Sequence, residues 1–426
     1  MNNPLEEYSW RGMIQDLTEG AGEAFSEGSR TAYIGFDPTA SSLHVGSLLP
    51  IMGLVHLQRA GHSPIGVVGG GTGLIGDPSG KVQERQLLTK EQAAENIAGI
   101  RGQLEHFLDF QVSTNPARMV NNLEWLGELR MVDFLRDVGK HFSVNALLRK
   151  DSIRRRLEEE DGGISFTEFS YVLMQAYDFL VLLDRYGCTV QMGGSDQWGN
   201  ITAGIDLIRR MRGERAFGVV FPLVTSATGV KFGKTEAGTV WLDPARTSPY
   251  RFFQFWLNAD DQDAIPYLKF FTLLGKAEVA ELESALAERP QERAAQRAVA
   301  EDVTRRVHGE TGLSRAQQAT QVLFGGAVEG LSGEEIADIF SDVPSSEFSR
   351  GTFEGEGMPI LDLLAESGMA LSKGDARRSI QGGGIYLNNI RVEDVERRVR
   401  LEDALEGRFL VFRKGKKNYH LAELLG

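Results

Sequence analysis

Residues 33–47, Tyr33-Ile34-Gly35-Phe36-Asp37-Pro38-Thr39-Ala40-Ser41-Ser42-Leu43-His44-Val45-Gly46-Ser47, read as a strand, a turn and the start of a helix. The apolar run Ala32 to Phe36 suits a buried strand, and Asp37-Pro38 is a turn signal because proline biases its predecessor away from helix. From Leu48 through Leu49, Ile51, Met52, Val55 and Leu57 the apolar residues recur at helical spacing, and Pro50 fits if it lies in the first turn, where no N–H partner is lost. His44 and Gly46 then sit where a strand hands over to a helix N-terminus, whose free N–H groups and dipole favour phosphate. Taken alone, the same pattern also fits a surface histidine beside a turn glycine.

Working outward, Ser63 to Val68 is a second short strand that enters the densest glycine cluster of the chain: Gly69, Gly70, Gly71, Gly73, Gly76 and Gly80. Asp77, Lys81 and Arg85 punctuate that loop with one acid and two bases. Thr89-Lys90-Glu91-Gln92 has capping-box form and predicts a helix to about Leu108. Met119 to Asn121 is a third strand, while Val132 to Val138, Val144 to Glu159 and, ahead of the opening strand, Pro4 to Ala24 have helical character. The alternation predicts an α/β fold with a Rossmann-like, doubly wound, mostly parallel sheet.

Thr167 is expected to cap a helix running to about Tyr186, with Tyr171, Gln175 and Asp178 at i, i+4 and i+7 on one face. That helix is apolar nearly all round, hence buried, and buried polar groups need partners. The polar stripe therefore lines a pocket or forms a structural hydrogen-bond network. Cys188 to Met192 is the next strand, followed at its C-terminal end by Gly193-Gly194-Ser195-Asp196-Gln197-Trp198-Gly199-Asn200, where open α/β sheets bind ligands. A last strand, Val219 to Val224, leads to Lys231-Phe232-Gly233-Lys234-Thr235, a positive clamp or an exposed basic turn.

Beyond Pro249 the pattern turns helical, Tyr250 to Glu310, and a Ser-, Gly- and Glu-rich stretch around Ser341 to Gly357 reads as a linker. From Met358 a short helix pair precedes strands around Ile385–Asn388 and Phe409–Phe412. The expected division is a sheet domain over 1–245, a helical domain over 246–330, a linker over 331–357 and a small α+β domain over 358–426. A chain ending near Gly330 is expected to keep its core.

The length of 426 residues fits about three domains at roughly 150 residues each. A single cysteine, Cys188, excludes an internal disulfide and a four-cysteine zinc site and suits a reducing cytoplasm. The mixed, acidic start from Met1 to Leu17 lacks a signal-peptide layout, and the longest apolar run, Tyr171 to Leu183, is too short to span a bilayer and is broken by Gln175 and Asp178. A net charge of −13 makes the whole molecule repel nucleic acid. Yet residues 371–420 carry twelve basic against seven acidic side chains. Arg377, Arg378, Arg397, Arg398, Lys414, Lys416 and Lys417 are thus candidate RNA contacts, or else a solvated charged face.

Together, His44-Val45-Gly46-Ser47, the Gly69–Gly80 loop, Gly193–Asn200 and Lys231–Thr235 resemble the class I aminoacyl-tRNA synthetases, specifically the bacterial tyrosyl-tRNA synthetases. The likeness runs over nearly the whole chain and includes Tyr33–Thr39, Gly76-Asp77-Pro78-Ser79-Gly80-Lys81 and Gln175-Ala176-Tyr177-Asp178. Two places depart from the family pattern. Its first signature usually ends in a second histidine, here Ser47; its second, Lys-Met-Ser-Lys-Ser, is here Lys231-Phe232-Gly233-Lys234-Thr235. From about Met358 the chain resembles a small RNA-binding module that also occurs in a small-subunit ribosomal protein.

The resemblance implies that L-tyrosine is activated with Mg2+-ATP to tyrosyl-adenylate and pyrophosphate, then transferred to the 3'-terminal ribose of tRNA(Tyr). It implies a cytoplasmic homodimer with no tightly bound cofactor and no metal site of its own. Thr39, His44, Lys81, Arg85, Lys231, Lys234 and Thr235 would act on the phosphates. Gly35, Asp37, Gly46, Ser47, Gly194 and Asp196, with His44 and Lys234, would hold ATP. Asp77, Tyr171 and Gln175 would hold the ammonium group, Gln197 the carboxylate end, and Tyr33 and Asp178 the phenol. The alternatives are a tryptophanyl-type enzyme and an inactive RNA-binding relative.

Overall fold

The computed structural model describes residues 2–77, 89–150, 153, 154, 157, 164–227, 232–235, 238–323, 325–328, 330–341, 343–415 and 418–426. Helix α1, Pro4–Arg11, is capped by the Asn3 side chain and ends at left-handed Gly12. After it come β1, Asp16–Leu17, and α2, Ala21–Glu27. The single helix expected over Pro4 to Ala24 is therefore two. Glycine at positive φ closes the first where an L side chain would be strained.

Then follow β2, Thr31–Phe36; α3, Leu48–Arg59; β3, Ser63–Val68; and α4, Lys90–Leu104, whose Thr89–Gln92 capping box forms as expected. Next are β4, Arg118–Asn121, and the short helices α5, Leu123–Leu126, α6, Met131–Asp137, and α7, Val144–Leu148. Helix α8, Phe166–Tyr186, starts from Ser165 rather than Thr167, because the Ser165 hydroxyl accepts from Glu168 N. It is followed by β5, Cys188–Gly194, α9, Trp198–Arg212, β6, Phe217–Phe221, and the small hairpin β7, Lys234–Thr235, with β8, Gly238–Thr239. Helices α10, Pro249–Leu257, α11, Asp261–Phe271, α12, Lys276–Glu288, and α13, Ala294–Val322, complete the middle of the chain, the last interrupted by non-helical Gly309.

The main sheet runs β1-β6-β5-β2-β3-β4. Every pair is parallel except β1 with β6. From central β2 the chain builds outward through β3 and β4, then returns to lay β5 and β6 on the other side. The carboxyl ends of β2 and β5 thus flank the reversal of strand order, where a crevice opens. Tyr33 lies opposite Ile65 on one neighbour and Gln191 on the other. Cys188 opens β5 and is fully buried.

The chain divides into two compact units, Met1–Asp243 with Leu257–Val307, and Pro244–Trp256 with His308–Gly426. This replaces the expected boundaries at 245, 330 and 357. In the first unit the guanidinium of Arg11, 2% exposed, donates to the carbonyls of Lys269, Thr272 and Leu274 at the end of α11, at 2.8–2.9 Å. A buried guanidinium must place its donors, and these carbonyls lack helical partners of their own. Residues 257–307 are consequently part of the sheet unit, not a separate helical domain.

In the second unit, α14, Gly333–Ile339, and β9, Ser345–Ser349, occupy the expected linker. Met358–Pro359 is β10, followed by α15, Ile360–Glu366, α16, Lys373–Gln381, β11, Ile385–Leu387, β12, Ile390–Arg391, β13, Arg398–Val399, β14, Phe409–Lys414, and β15, Asn418–Leu425. The order β12-β11-β14-β15-β9 makes β9 an edge strand, parallel to β15. Edge strands present half their side chains to water, which is why a Ser- and Glu-rich stretch can be sheet. Ala319, Val322, Val328 and Ile336 share one core with Phe409, Val411 and Tyr419. A chain ending near Gly330 would open that core, contrary to expectation.

Candidate active site

An open cleft of about 420 Å³ lies at the carboxyl ends of β2 and β5. Its walls include Tyr33, Gly35, Asp37, Thr39, His44, Gly46 and Ser47 from the β2–α3 passage. Opposite stand Asp77, Tyr171, Gln175, Asp178, Gly194, Asp196 and Gln197. Fourteen residues singled out in the sequence thus meet in one place. Lys81, Arg85 and Lys231 lie outside the described residues, and Lys234 and Thr235 are described as backbone, in β7.

A single 3-10 turn, Val45–Ser47, comes between His44 and α3. His44 caps it, its Nδ1 accepting from Gly46 N at 3.0 Å, so Nε2 carries the proton of the neutral ring. A Cβ on Gly46 would lie 2.7 Å from His44 Cε1, which explains the glycine two residues on. The same passage pairs with the chain just after β8. Val45 N donates to Val240 O at 3.0 Å, Leu242 N to Leu43 O at 2.9 Å, and Val240 N to Gly233 O at 3.0 Å. The two signature segments are thus tied by main-chain bonds.

At the inner end, Tyr33 Oη is buried and has no hydrogen-bond partner among the described residues. Its ring meets Phe179 edge-on at 5.3 Å. Burial, and then the charge of Asp178, push its phenol well up. Asp178 accepts from Trp125 Nε1 at 2.7 Å and Asn122 Nδ2 at 2.9 Å. Burial raises its carboxyl to about 7, against the lowering effect of those two donors. Asn122 also donates to Thr72 Oγ1 at 2.9 Å and accepts from Gly71 N at 2.7 Å. Thr72 donates to Asp37 Oδ1, and Tyr171 Oη to Asp37 Oδ2, both at 2.8 Å.

A second chain of bonds joins the remaining polar groups. Gln197 Nε2 donates to Asp77 Oδ2 at 2.7 Å, while Gln197 Oε1 accepts from Gln175 Nε2 at 3.2 Å and Asn200 Nδ2 at 3.1 Å. Both readings of the α8 stripe therefore hold: Tyr171, Gln175 and Asp178 line the cleft and belong to a network. Sequence reasoning missed Thr72, Asn122, Trp125 and Trp241. Asn122 directly follows β4 at its carboxyl end, which was a usable signal; Trp125 carried none.

In the second unit five of the candidate basic side chains form ion pairs. Arg377 meets Glu396 at 3.1 Å, Arg378 meets Asp375 at 3.7 Å, Lys414 meets Asp375 at 3.2 Å and Arg397 meets Asp403 at 2.7 Å. Arg398 meets Glu356 at 3.7 Å and donates to the carbonyls of Glu356 and Gly357. Five of the seven candidate side chains thus already face carboxylates, Arg378 and Lys414 sharing Asp375. Lys416 and Lys417 lie outside the described residues.

Residues 26–325 match the family described as tRNA synthetases class I (W and Y), and residues 335–422 match a Tyrosine--tRNA ligase SYY-like C-terminal domain. The chain is 56% identical to a tyrosine--tRNA ligase of Roseiflexus castenholzii over 425 residues, covering 100% of both chains. It is 52% identical to one of Geobacillus stearothermophilus, covering 98% of each. Its fold superposes on a C-terminally truncated mitochondrial tyrosyl-tRNA synthetase of Aspergillus nidulans with a TM-score of 0.69 and 28% identity, over 76% of this chain and 95% of that one.

Proposed function

The chain belongs to the class I tRNA synthetases of the tryptophan and tyrosine group, and from that membership we propose how its residues divide the work of a tyrosine–tRNA ligase. It activates L-tyrosine with ATP to tyrosyl-adenylate and pyrophosphate, then transfers tyrosine to the 3'-terminal ribose of tRNA(Tyr). In the first step a tyrosine carboxylate oxygen attacks the α-phosphorus while the bond to the bridging oxygen of pyrophosphate breaks. The substrate supplies the nucleophile, so the protein's part is positioning and stabilising charge.

Tyr33 and Asp178 take the phenol hydroxyl, one as donor and the other as acceptor. The observation that carries this reading is the buried Tyr33 hydroxyl without a partner among the described residues, since such groups are rare unless a ligand completes them. Phenylalanine would leave both groups unpaired. Asp77, Tyr171 and Gln175 receive the ammonium group, and Gln197 orients the carboxylate end. A carboxylate at the blind end of the cleft suits a phenol better than an indole, which disfavours tryptophan.

Thr39, His44 and Ser47 face the phosphates, Gly35, Gly46 and Gly194 leave room for adenosine, Asp196 takes the ribose, and Asp37 joins the nucleotide and amino-acid ends. Lys81, Arg85, Lys231, Lys234 and Thr235 complete the phosphate contacts. Mg2+ enters with ATP as part of the substrate. Arg377, Arg378, Arg397, Arg398 and Lys414 hold tRNA by exchanging internal carboxylates for phosphates, and Lys416 and Lys417 add to the same contact.

The working molecule is a cytoplasmic homodimer. Met131, Val132, Leu135, Val144, Leu148 and Phe166 are exposed apolar side chains within one stretch of the first unit, a surface suited to a second copy. No helix among the described residues is long and apolar enough to cross a membrane. Tyrosine-dependent ATP–pyrophosphate exchange tests the reading. It should be strong with tyrosine and weak with phenylalanine and tryptophan; equal exchange with phenylalanine would remove the phenol site from the cleft.

A further inference from the structure

The loop between β2 and His44 carries no ladder of its own. Its one internal main-chain bond is Thr39 N to Asp37 O, at 2.8 Å. We propose that α4 is the bracket that sets this loop, with Asn96, Gly99 and Gln103 as positioning residues for displacement at the ATP α-phosphate. The proposal rests on the reading of Thr39 and His44 as phosphate-facing.

The three residues fall at i, i+3 and i+7, so they share one face of α4. Asn96, 9% exposed, donates from Nδ2 to Pro38 O at 2.8 Å. Gln103 closes the other end: its Oε1 accepts from Leu43 N at 2.8 Å and its Nε2 donates to Ser42 Oγ at 2.8 Å. Between them Gly99 lies against the loop backbone, and a Cβ there would stand 2.0 Å from Ser41 O. Pro38, Ser41, Ser42 and Leu43 are thus gripped in turn, leaving Thr39 and His44 to face the cleft.

The helix is itself held. Ile100 and Leu104 on α4 are buried, at 1% and 0% exposure, and Leu104 packs against β3 at Gly66. The Ser42 hydroxyl, besides meeting Gln103, accepts from Asp243 N at 3.2 Å. One polar point therefore joins α4, the first signature and the segment after the second. Because an unsupported loop of this kind has several positions open to it, the rate of displacement depends on Asn96, Gly99 and Gln103, which do not themselves line the cleft.

Gly99→Ala tests the bracket at its tightest contact, and tyrosine affinity tells a shifted loop from a collapsed pocket. Alanine is the better helix former, so α4 is not weakened, but the methyl group must push Ser41 away. The midpoint of thermal unfolding should fall modestly, because the displaced contact is backbone, with the protein still folded at the assay temperature. The single-turnover rate of tyrosyl-adenylate formation should fall on the order of 10²-fold, the effect of a displacement of about 1 Å. Tyrosine affinity by equilibrium dialysis should stay within about twofold. Gln103→Ala should lower the same rate by less, and Gln103→Glu should restore only part of it, since the carboxylate still accepts from Leu43 N but removes the Nε2 donor to Ser42 Oγ, whose own proton goes to Leu43 O. A wild-type rate in both Gly99→Ala and Gln103→Ala overturns the bracket. So does an equal loss of tyrosine affinity, which would mean a collapsed pocket. Absence of tyrosine-dependent exchange in the unaltered protein would instead overturn the functional reading beneath it.

Discussion

Trp241 stands edge-on to His44, with ring centroids 6.2 Å apart and planes at 71°, and the two residues face each other as an antiparallel bridge. The imidazole thus has its direction set twice, once by Gly46 N and once by an indole that follows the second signature. Aromatic pairs of this geometry contribute about 0.5–1.5 kcal/mol beyond their buried area. Trp241→Leu should therefore slow adenylate formation by up to about tenfold while leaving tyrosine binding unchanged. Stopped-flow measurement of adenylate formation beside equilibrium dialysis checks this, and an unchanged rate would show that Gly46 alone orients His44.

Tyr33→Phe has opposite effects on stability and on selectivity. In the free protein it removes a buried hydroxyl that has no partner among the described residues, so melting should stay level or rise. In the proposed complex it removes one donor to the phenol oxygen, which should weaken tyrosine by about 0.5–1.5 kcal/mol and phenylalanine hardly at all. Calorimetry and competitive pyrophosphate exchange provide the two readings. A variant that melts lower and discriminates as before would place the phenol elsewhere.

Asp178 gives the cleft a pH dependence. Its folded pKa, about 7, lies above the unfolded value of 3.8, so between these the folded chain holds a proton that the unfolded chain releases. Stability attributable to this group is therefore full below the unfolded value, declines as pH rises toward about 7, and then levels off. With the phenol site placed as proposed, tyrosine binding should run the other way, because the ionised carboxylate is the stronger acceptor for the phenol. Affinity should weaken as pH falls through about 7, and Asn122→Ala, which deletes a donor to the ionised form, should move that midpoint upward. A midpoint unmoved by Asn122→Ala would assign the titration to another group.

The end of α13 is held from the small sheet: Asn389 Nδ2 donates to the carbonyls of Val322 and Gly326, and Tyr419 Oη to Val322, all at 2.8–2.9 Å. Asn389 itself has φ 61, where alanine is strained by roughly 1–2 kcal/mol. Asn389→Ala should destabilise the second unit by about 2–4 kcal/mol, combining that strain with the lost hydrogen bonds. Urea unfolding followed by limited proteolysis should show early cleavage near the end of α13. A wild-type transition would mean that Tyr419 suffices.

The sheet and the mouth of the site were legible because strand, turn and helix start are written in adjacent residues: Ile34 to Phe36, then Asp37-Pro38, then His44 to Ser47. The stripe Tyr171–Gln175–Asp178 was legible as buried polarity, and its helix supplied the geometry. What stayed hidden depends on distant partners. Trp125 matters only because its indole meets Asp178 from another element, and Arg11 joins residues 257–307 to the sheet unit through carbonyls more than 250 positions away. The supposed linker failed for a different reason: β9 is polar because it lies at an edge, and composition cannot tell a one-sided strand from a tether.

The lone cysteine gives the molecule a built-in clock. Cys188 lies at 0% exposure at the start of β5, between β2 and β6, with its thiol pushed well up by burial. A thiol-blocking reagent can reach it only when the main sheet parts, so the speed of labelling is a count of the time spent open. Tyrosine and ATP bind the closed form and should slow the count in proportion to their occupancy, which turns a single sulfur into a meter of ligand binding that needs no turnover.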